Sequence, residues 1–406
     1  MMRNKIMALI AAMALTLNST AANIETDRTW YVAGEAMAVN VTTDDGLIAY
    51  AELCDTQGLA AGSKILLHEG RGIGTIELPT DLHSGYYVLS VYTRHSTKVY
   101  QRLVAVVNPL HKSVNDDIEW VEIAHADSSS HAKPGEATTT EWIGDKDIDE
   151  RETEGHIIKA RIKKAHHSDS IEGSQICASL SIVGKQIHYF EGKMDNDSTA
   201  VFYTYGIHGK HPLVLSALSS SGTSLPIEMI SPFLSLLPKQ LPHLVFHYKR
   251  SEVEARSIDM QQRQLTIAPA QPLDYDDRVL GTKPDLTYNL DEYRQFLTIR
   301  EVLLEYVMCV SKREINGTTQ LVVRDEMSPF HDFLPSLVLM DGMPVIDSER
   351  LLNYDARRMH YINIYGSQYT FGNSIYNGIL SFVSRTGQLT NYPTEPGMQY
   401  LEYEFP

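Results

Sequence analysis

Several groups of side chains have types and spacings that chemistry would use. Asp145, Asp147 and Asp149 begin like a calcium loop, in which alternate carboxylates surround the ion and a Gly and a later Glu complete it. Glu150 and His156 stand where that Gly and Glu are needed, so the triplet reads as a solvated acidic stretch. His166-His167 and the pair His208 and His211 offer two imidazoles each, whereas a metal centre wants three or four ligands; they read as loop histidines. Gly70-Arg71-Gly72-Ile73-Gly74 is Gly-rich, but strand-like runs flank it on both sides and no helix follows, so it reads as a turn rather than a dinucleotide loop. Asp341-Gly342-Met343-Pro344 is the most pointed motif. Asp341 there is either a turn aspartate satisfying backbone donors or a contact to a ligand or partner.

Cys54, Cys177 and Cys309 are too few and too far apart for a disulfide framework or a Cys-rich zinc site. One pair is open to an oxidising compartment, and the sequence leaves open which. No Gly-x-Ser-x-Gly elbow, His-Glu-x-x-His pair or phosphate-binding Gly-Lys-Ser/Thr occurs. A triad assembled only in space is the enzymatic route that remains. The expectation is a protein that is not an enzyme, with no catalytic residue, no cofactor and no metal.

The elements that would position these residues are mostly strands. The chain has 406 residues with a formal net charge of −16 and 43% hydrophobic residues. That hydrophobic share supports folded cores. The charge excludes a general nucleic-acid binder, which needs clustered Lys and Arg. Tyr outnumbers Phe, 22 to 10, as half-exposed β-structure favours. Residues 1–22 read as a signal peptide: Arg3 and Lys5, an apolar run over 6–17, then Ser19-Thr20-Ala21-Ala22 for cleavage. No other run approaches the length of a spanning helix.

Residues 23–109 alternate over 36–41, 85–92 and 99–107, with turn signals at Asp44-Asp45-Gly46, Gln57-Gly58 and 79–84, which predicts a β-sandwich. Residues 110–154 read as an acidic linker. Residues 155–246 predict a second sandwich, from runs at 157–162, 176–183, 200–205 and 213–217. Residues 247–290 read as a Pro-rich connection with an isolated strand or two. Residues 291–390 predict a small α+β domain: Asp291 caps a helix over 293–307, and strands follow over 320–323, 336–340, 361–365 and 378–384, with a helix at 347–354. Residues 391–406 read as a tail. The fold class expected is mainly β, two β-sandwiches followed by a small α+β domain.

Two segments carry resemblances. Thr26-Asp27-Arg28, Tyr31-Val32-Ala33-Gly34-Glu35, Leu78-Pro79, Ser84-Gly85-Tyr86-Tyr87-Val88-Leu89 and Asn108-Pro109 resemble the macroglobulin-type sandwiches of exported Gram-negative envelope proteins. Residues 335–339, Asp341-Gly342-Met343-Pro344-Val345, Tyr365-Gly366, Tyr369, Gly372 and Asn377-Gly378-Ile379-Leu380-Ser381 resemble the plug domain of TonB-dependent outer-membrane receptors. The whole order is similar to exported envelope proteins that combine such repeats with a terminal plug-like domain. The resemblance implies a periplasmic or outer-membrane location. It does not carry transport, because about 20 residues follow Thr386 and a receptor barrel needs many strands of ~10 residues. Nor does it carry the macroglobulin thioester, because no Cys precedes Gly-Glu-Gln.

The function expected is therefore a non-enzymatic envelope binding or scaffold protein, contacting an outer-membrane or periplasmic protein partner. Asp341, Gly342, Tyr365 and Tyr369 are the candidate partner contacts. A peptide- or glycan-binding protein and a hydrolase with β accessory domains are the alternatives. The identity of the partner and the oligomeric state are not written in the sequence.

Overall fold

A computed structural model describes residues 23–43, 46–94, 96, 98–123, 138–141, 152, 155–163, 176–196, 198–219, 223–266, 276–277, 283–315, 318–324, 334–371, 374–387, 392 and 395–406. The expected signal peptide, most of the acidic linker with Asp145, Asp147 and Asp149, the pair His166-His167, and Gly372 lie outside the described residues. The fold is mainly β: two β-sandwiches and a small α+β layer, divided between two compact units. No helix among the described residues is long and apolar enough to cross a membrane.

The first unit holds the first sandwich. Its smaller sheet is Asn23–Thr26, Ala36–Thr42 and Arg71–Glu77, antiparallel throughout. Its larger sheet orders Thr138–Glu141, Lys98–Val107, Gly85–Thr93, Ile48–Cys54 and Leu59–Leu66, with Trp30–Val32 parallel to Lys98–Val107. Alternation explains the packing. In Ala36–Thr42, Met37, Val39 and Val41 turn inward and meet Tyr31, Leu53, Tyr87, Leu89 and Val104 in one core. A two-stranded parallel ribbon, Ile118–Glu122 with Leu244–Tyr248, belongs to this unit. A pair of strands alone is marginal; here the Phe246 ring is packed edge-on by Trp30 at 4.9 Å and by Trp120 at 5.5 Å.

The second unit contains the second sandwich and the α+β layer. Strand Gln186–Asn196 joins the two sheets of the sandwich. It pairs with Cys177–Ile182 along its first part and with Thr199–Thr204 along its last, with a register shift between Met194 and Asn196. Gly192 sits at that crossing, where a Cβ would stand 2.7 Å from the Phe202 ring. Residues 391–406, read from the sequence as a tail, contain strand Gln399–Phe405, which pairs antiparallel with Gly209–Leu218 and sends Tyr403 and Phe405 into the core beside Ile158, Leu180 and Leu213.

The α+β layer is a five-stranded sheet in the order Leu286–Asn289, Met359–Phe371, Ser374–Ser384, Leu337–Met340, Met343–Pro344. The hairpin Val310–Ile315 and Thr318–Val323 and the short helices Ile299–Glu305 and Ser348–Leu352 accompany it. The first helix is shorter than the expected 293–307. Thr298 and Glu301 form a reciprocal capping box that starts it, and Asn289 instead caps a 3-10 turn at Leu290–Glu292. Asp347 caps the second helix through the Arg350 backbone N–H. The connection read as irregular contains a helix, Arg250–Thr266. Its residues are largely good helix formers, it buries Val253, Ser257 and Met260 at i, i+4 and i+7, and Pro269, Pro272 and Pro284 all follow it.

Within this unit the sandwich and the layer share cores. Val183 and Val214 pack with Met340, Met359 and Phe382. Ile187 and Tyr189 pack with Leu337, Leu339, Tyr365 and Ile379.

Removing the Phe405 ring empties a fully packed site. Phe405→Ala is expected to cost about 3–5 kcal/mol, read as a lower urea midpoint at unchanged slope. A second expectation concerns Glu349, whose carboxylate accepts from Lys312 Nζ, from Thr319 Oγ1 at 2.8 Å and from Arg300 Nη2 at 2.6 Å. These partners lower its pKa from the ordinary 4.5 to about 2. A depressed carboxylate stabilises the fold above its unfolded pKa, and that contribution is lost as pH falls through the folded one. Glu349→Gln should therefore be less stable than the native chain at pH 6, with the gap closing as pH falls from about 4 to about 2. A gap independent of pH would show that the charge is not what Glu349 contributes.

Candidate functional site

The structure places the four residues expected to meet a partner mostly inside the second unit. Asp341 has no exposed surface and takes a left-handed φ of 47°. Its Oδ1 accepts from the Ser384 backbone N–H at 2.7 Å and its Oδ2 from the Ser384 hydroxyl at 2.5 Å. Its carbonyl accepts from Gly184 N–H at 2.8 Å. Gly342 follows at φ 90°, where a Cβ would lie 2.8 Å from the Ile182 carbonyl oxygen. The Asp-Gly turn thus clamps the layer onto the sandwich turn after Ile182. Tyr365 is fully buried, and Tyr369 is half-buried against the same cluster. Asp341, Gly342 and Tyr365 present nothing to a partner in this arrangement; the burial that a strand–turn–strand packed on a second sheet imposes has absorbed them.

His208 and His211 do not converge on a metal. His208 Nδ1 lies 2.7 Å from the Pro406 carbonyl, and His211 Nε2 lies 3.0 Å from the His208 carbonyl. Among the described residues no group of three or more His, Cys, Asp or Glu is placed to hold a metal ion. The three cysteines are unbridged. Gly70, with Glu69, makes the tight turn before Arg71–Glu77.

A different set of residues lines an open concavity at one end of the first sandwich. The ladder between Ile48–Cys54 and Gly85–Thr93 sets Cys54 opposite Val88. Asp55 and the loop 79–84 therefore emerge at the same end. Between them lies an open concavity of about 450 Å³, lined by Asp55, Asp81 and His83 on the polar side and by Leu59, Pro79 and Leu82 on the apolar side. The volume falls within the range of ligand clefts.

Each polar group is held by its own local structure. Asp55 Oδ1 accepts from the backbone N–H of Gln57 at 2.7 Å and of Gly58 at 2.8 Å, the Asx pattern of a turn. Asp55 Oδ2 faces His83 Nε2 at 3.7 Å. His83 Nδ1 is 3.1 Å from the Tyr87 hydroxyl, which donates to the His83 carbonyl at 3.0 Å. The loop is braced from below. Asn108 Nδ2 donates to the carbonyls of Thr80 and Leu82, and Asp116 accepts from the backbone N–H groups of Ser84 and Ser113.

The electrostatics favour a cation. Burial first, then the charges of Asp55, Asp116 and Asp81, push the Tyr87 phenol well above its ordinary pKa. Among the described residues, no Lys or Arg lines the concavity, and Asp81 is exposed with no ion-pair partner. A positively charged head on an apolar stem fits this lining: the head between the two carboxylates, the stem against Leu59, Pro79 and Leu82. Sequence reading marks Gln57-Gly58 and 79–84 only as turns. Asp55 and His83 are brought together by strand register, which the local signals do not contain.

No family model matches the chain, and no curated protein matches it. Among solved structures, the chain is similar to one titled "Crystal structure of DIP-gamma IG1+IG2", at 8% identity over 56% of this chain and 98% of that one, with a TM-score of 0.15. It is also similar to "The Enterococcus faecalis MSCRAMM ACE binds its ligands by the collagen Hug Model", at 11% identity over 52% and 94%, with a TM-score of 0.10. Similarities at these scores bear neither on the fold nor on function.

Proposed function

We propose that the chain is a non-enzymatic binding and scaffold protein of the cell envelope, and that the acidic concavity of its first sandwich holds a basic side chain of a protein partner. The observation that carries this reading is the lining: two carboxylates and an imidazole beside an apolar wall, on a braced loop, with no Lys or Arg among the described residues that line it. The signal-like pattern of residues 1–22 and the resemblances to macroglobulin-type sandwiches and to a receptor plug support the envelope location.

Burial works against chemistry at this end of the sandwich. The Tyr87 phenol is held protonated, and the Cys54 thiol is pushed up to about 12 by burial and by Glu52 and Asp55. A nucleophile needs the opposite shift. Recognition of a Lys or Arg side chain needs only the fixed acceptors that are present. Between the two binding alternatives, the lining favours a peptide over a glycan. The tyrosine of its lining, Tyr87, is fully buried, so the wall it exposes is aliphatic, whereas a pyranose face calls for an exposed aromatic ring.

The test uses two peptides, Ala-Leu-Lys-Leu-Ala and Ala-Leu-Glu-Leu-Ala with blocked ends, titrated calorimetrically into the full chain. The Lys peptide should bind, and more weakly as salt is raised. Asp81→Asn should weaken it about three- to tenfold, as expected for one partly exposed charge pair. Asp55→Asn keeps the oxygen that accepts from Gln57 and Gly58, so it should also weaken binding with the fold intact. Equal binding of both peptides, or an Asp81→Asn variant that binds as the native chain does, would remove the proposal.

A further inference from the structure

An imidazole stands beside the carboxylates of the acidic concavity. His83 is one of the lining residues, its side chain 18% exposed, and its Nε2 faces Asp55 Oδ2 at 3.7 Å. The hydrogen bonds at the other ring nitrogen assign the tautomer. The Tyr87 hydroxyl has one proton and gives it to the His83 carbonyl at 3.0 Å. Burial and the nearby carboxylates keep that proton on the phenol. The 3.1 Å contact between the Tyr87 oxygen and Nδ1 must then take its hydrogen from the ring. So Nδ1 carries the N–H of the neutral imidazole, and Nε2 keeps a lone pair.

Two states of the lining follow. With the imidazole neutral, Nε2 is an acceptor next to Asp55 Oδ2, and a cationic head meets two carboxylates and a ring nitrogen. With a second proton on Nε2, the ring is itself a cation within ion-pair distance of Asp55. It then holds the carboxylate that a ligand would use. The charged groups around the ring are otherwise of one sign. Asp55 follows strand Ile48–Cys54, Asp81 is on the ring's own loop, and Asp116 acts on Tyr87 from the loop after Lys98–Val107. Histidine is the side chain whose ordinary titration crosses pH 5 to 8, whereas carboxylates ordinarily titrate at about pH 4.

We infer that His83 is a further binding residue of the concavity and the one through which pH sets its occupancy. As neutral imidazole it is the third acceptor for the basic side chain of the partner. Protonated, it competes with that side chain for Asp55. Docking onto the protonated form therefore sends the Nε2 proton to solvent, and docking weakens in mildly acidic surroundings. The inference rests on the reading of the concavity as a site for a Lys or Arg side chain.

The probe is the blocked peptide Ala-Leu-Lys-Leu-Ala, titrated calorimetrically at pH 8 and at pH 5.5, at one ionic strength, into the full chain and into His83→Asn and His83→Lys variants. Urea midpoints equal to the native one verify folding of each variant. The native chain should bind about three- to tenfold more weakly at pH 5.5, the effect of one partly exposed charge pair. At pH 6.5 its binding enthalpy should vary with the ionisation enthalpy of the buffer in the sense of proton release. His83→Asn keeps an N–H for the Tyr87 oxygen but has no titrating nitrogen, so it should bind equally at both pH values and release no proton. His83→Lys fixes a cation beside Asp55 and should bind weakly at both. Native binding that is equal at pH 8 and pH 5.5 overturns the inference and leaves the acidic site standing. A pH difference that persists in His83→Asn also overturns it, because another group would then be titrating. A peptide that binds at neither pH overturns both the inference and the reading on which it rests.

Discussion

Seven residue pairs, from Gly209 opposite Phe405 to Leu215 opposite Gln399, tie the strand that follows the α+β layer back onto the second sandwich. The α+β layer is thereby followed by a strand fixed on the sandwich against which the layer packs. The anchor is more than a ladder of backbone hydrogen bonds. Tyr403 and Phe405 fill the sandwich core, and the Tyr403 hydroxyl lies 2.6 Å from His156 Nε2. His156 Nδ1 lies 3.0 Å from Glu152 Oε1, which also accepts from the Ile157 N–H at 2.9 Å. The contact at His156 Nε2 is made by the strand itself, and losing a partner from a buried polar group is costly. Fixing the strand that follows the layer also lowers the entropy that the layer must lose to dock. The shared cores around Val183 and Ile187 and the Asp341 clamp can then form within an element already held close.

This constraint decides what the conspicuous Asp-Gly motif does. Asp341, Gly342 and Tyr365 sit where the layer meets the sandwich, so their chemistry is spent on cohesion. The exposed acidic concavity lies elsewhere, on a loop braced from behind. The loop 79–84 rests on Asn108 and Asp116. Rigid support is what lets a small number of charged and apolar groups discriminate between ligands. The overall charge of −16 attracts basic groups at long range.

The β character was legible because it is written locally. Met37, Val39 and Val41 alternate in the sequence as they alternate in burial, and the turn residues between runs mark where strands stop. The strand Gln399–Phe405 carries the same alternation in Leu401, Tyr403 and Phe405, but its partner lies on the far side of the α+β layer, where no local pattern points. Among the residues of helix Arg250–Thr266 whose burial is described, Val253 and Met260 are the buried apolar ones, too few to mark a face. Helix Ile299–Glu305 starts six residues inside the span read from the sequence, because the Thr298–Glu301 capping box satisfies the backbone donors there. The acidic concavity was illegible for another reason: Asp55, Asp81 and His83 have no mutual spacing rule and meet only through the register that sets Cys54 opposite Val88.

The claim that strand Gln399–Phe405 fastens the sandwich and the layer into one unit is tested most directly by amide hydrogen exchange. The comparison is between the native chain and a Tyr403→Ala, Phe405→Ala double variant. The account predicts faster exchange in the variant not only in Gly209–Leu218 but also in Leu337–Met340 and Ser374–Ser384, with Gly85–Thr93 and Lys98–Val107 of the first unit unchanged. Faster exchange confined to Gly209–Leu218 would contradict it, because the layer would then be holding itself together without the strand.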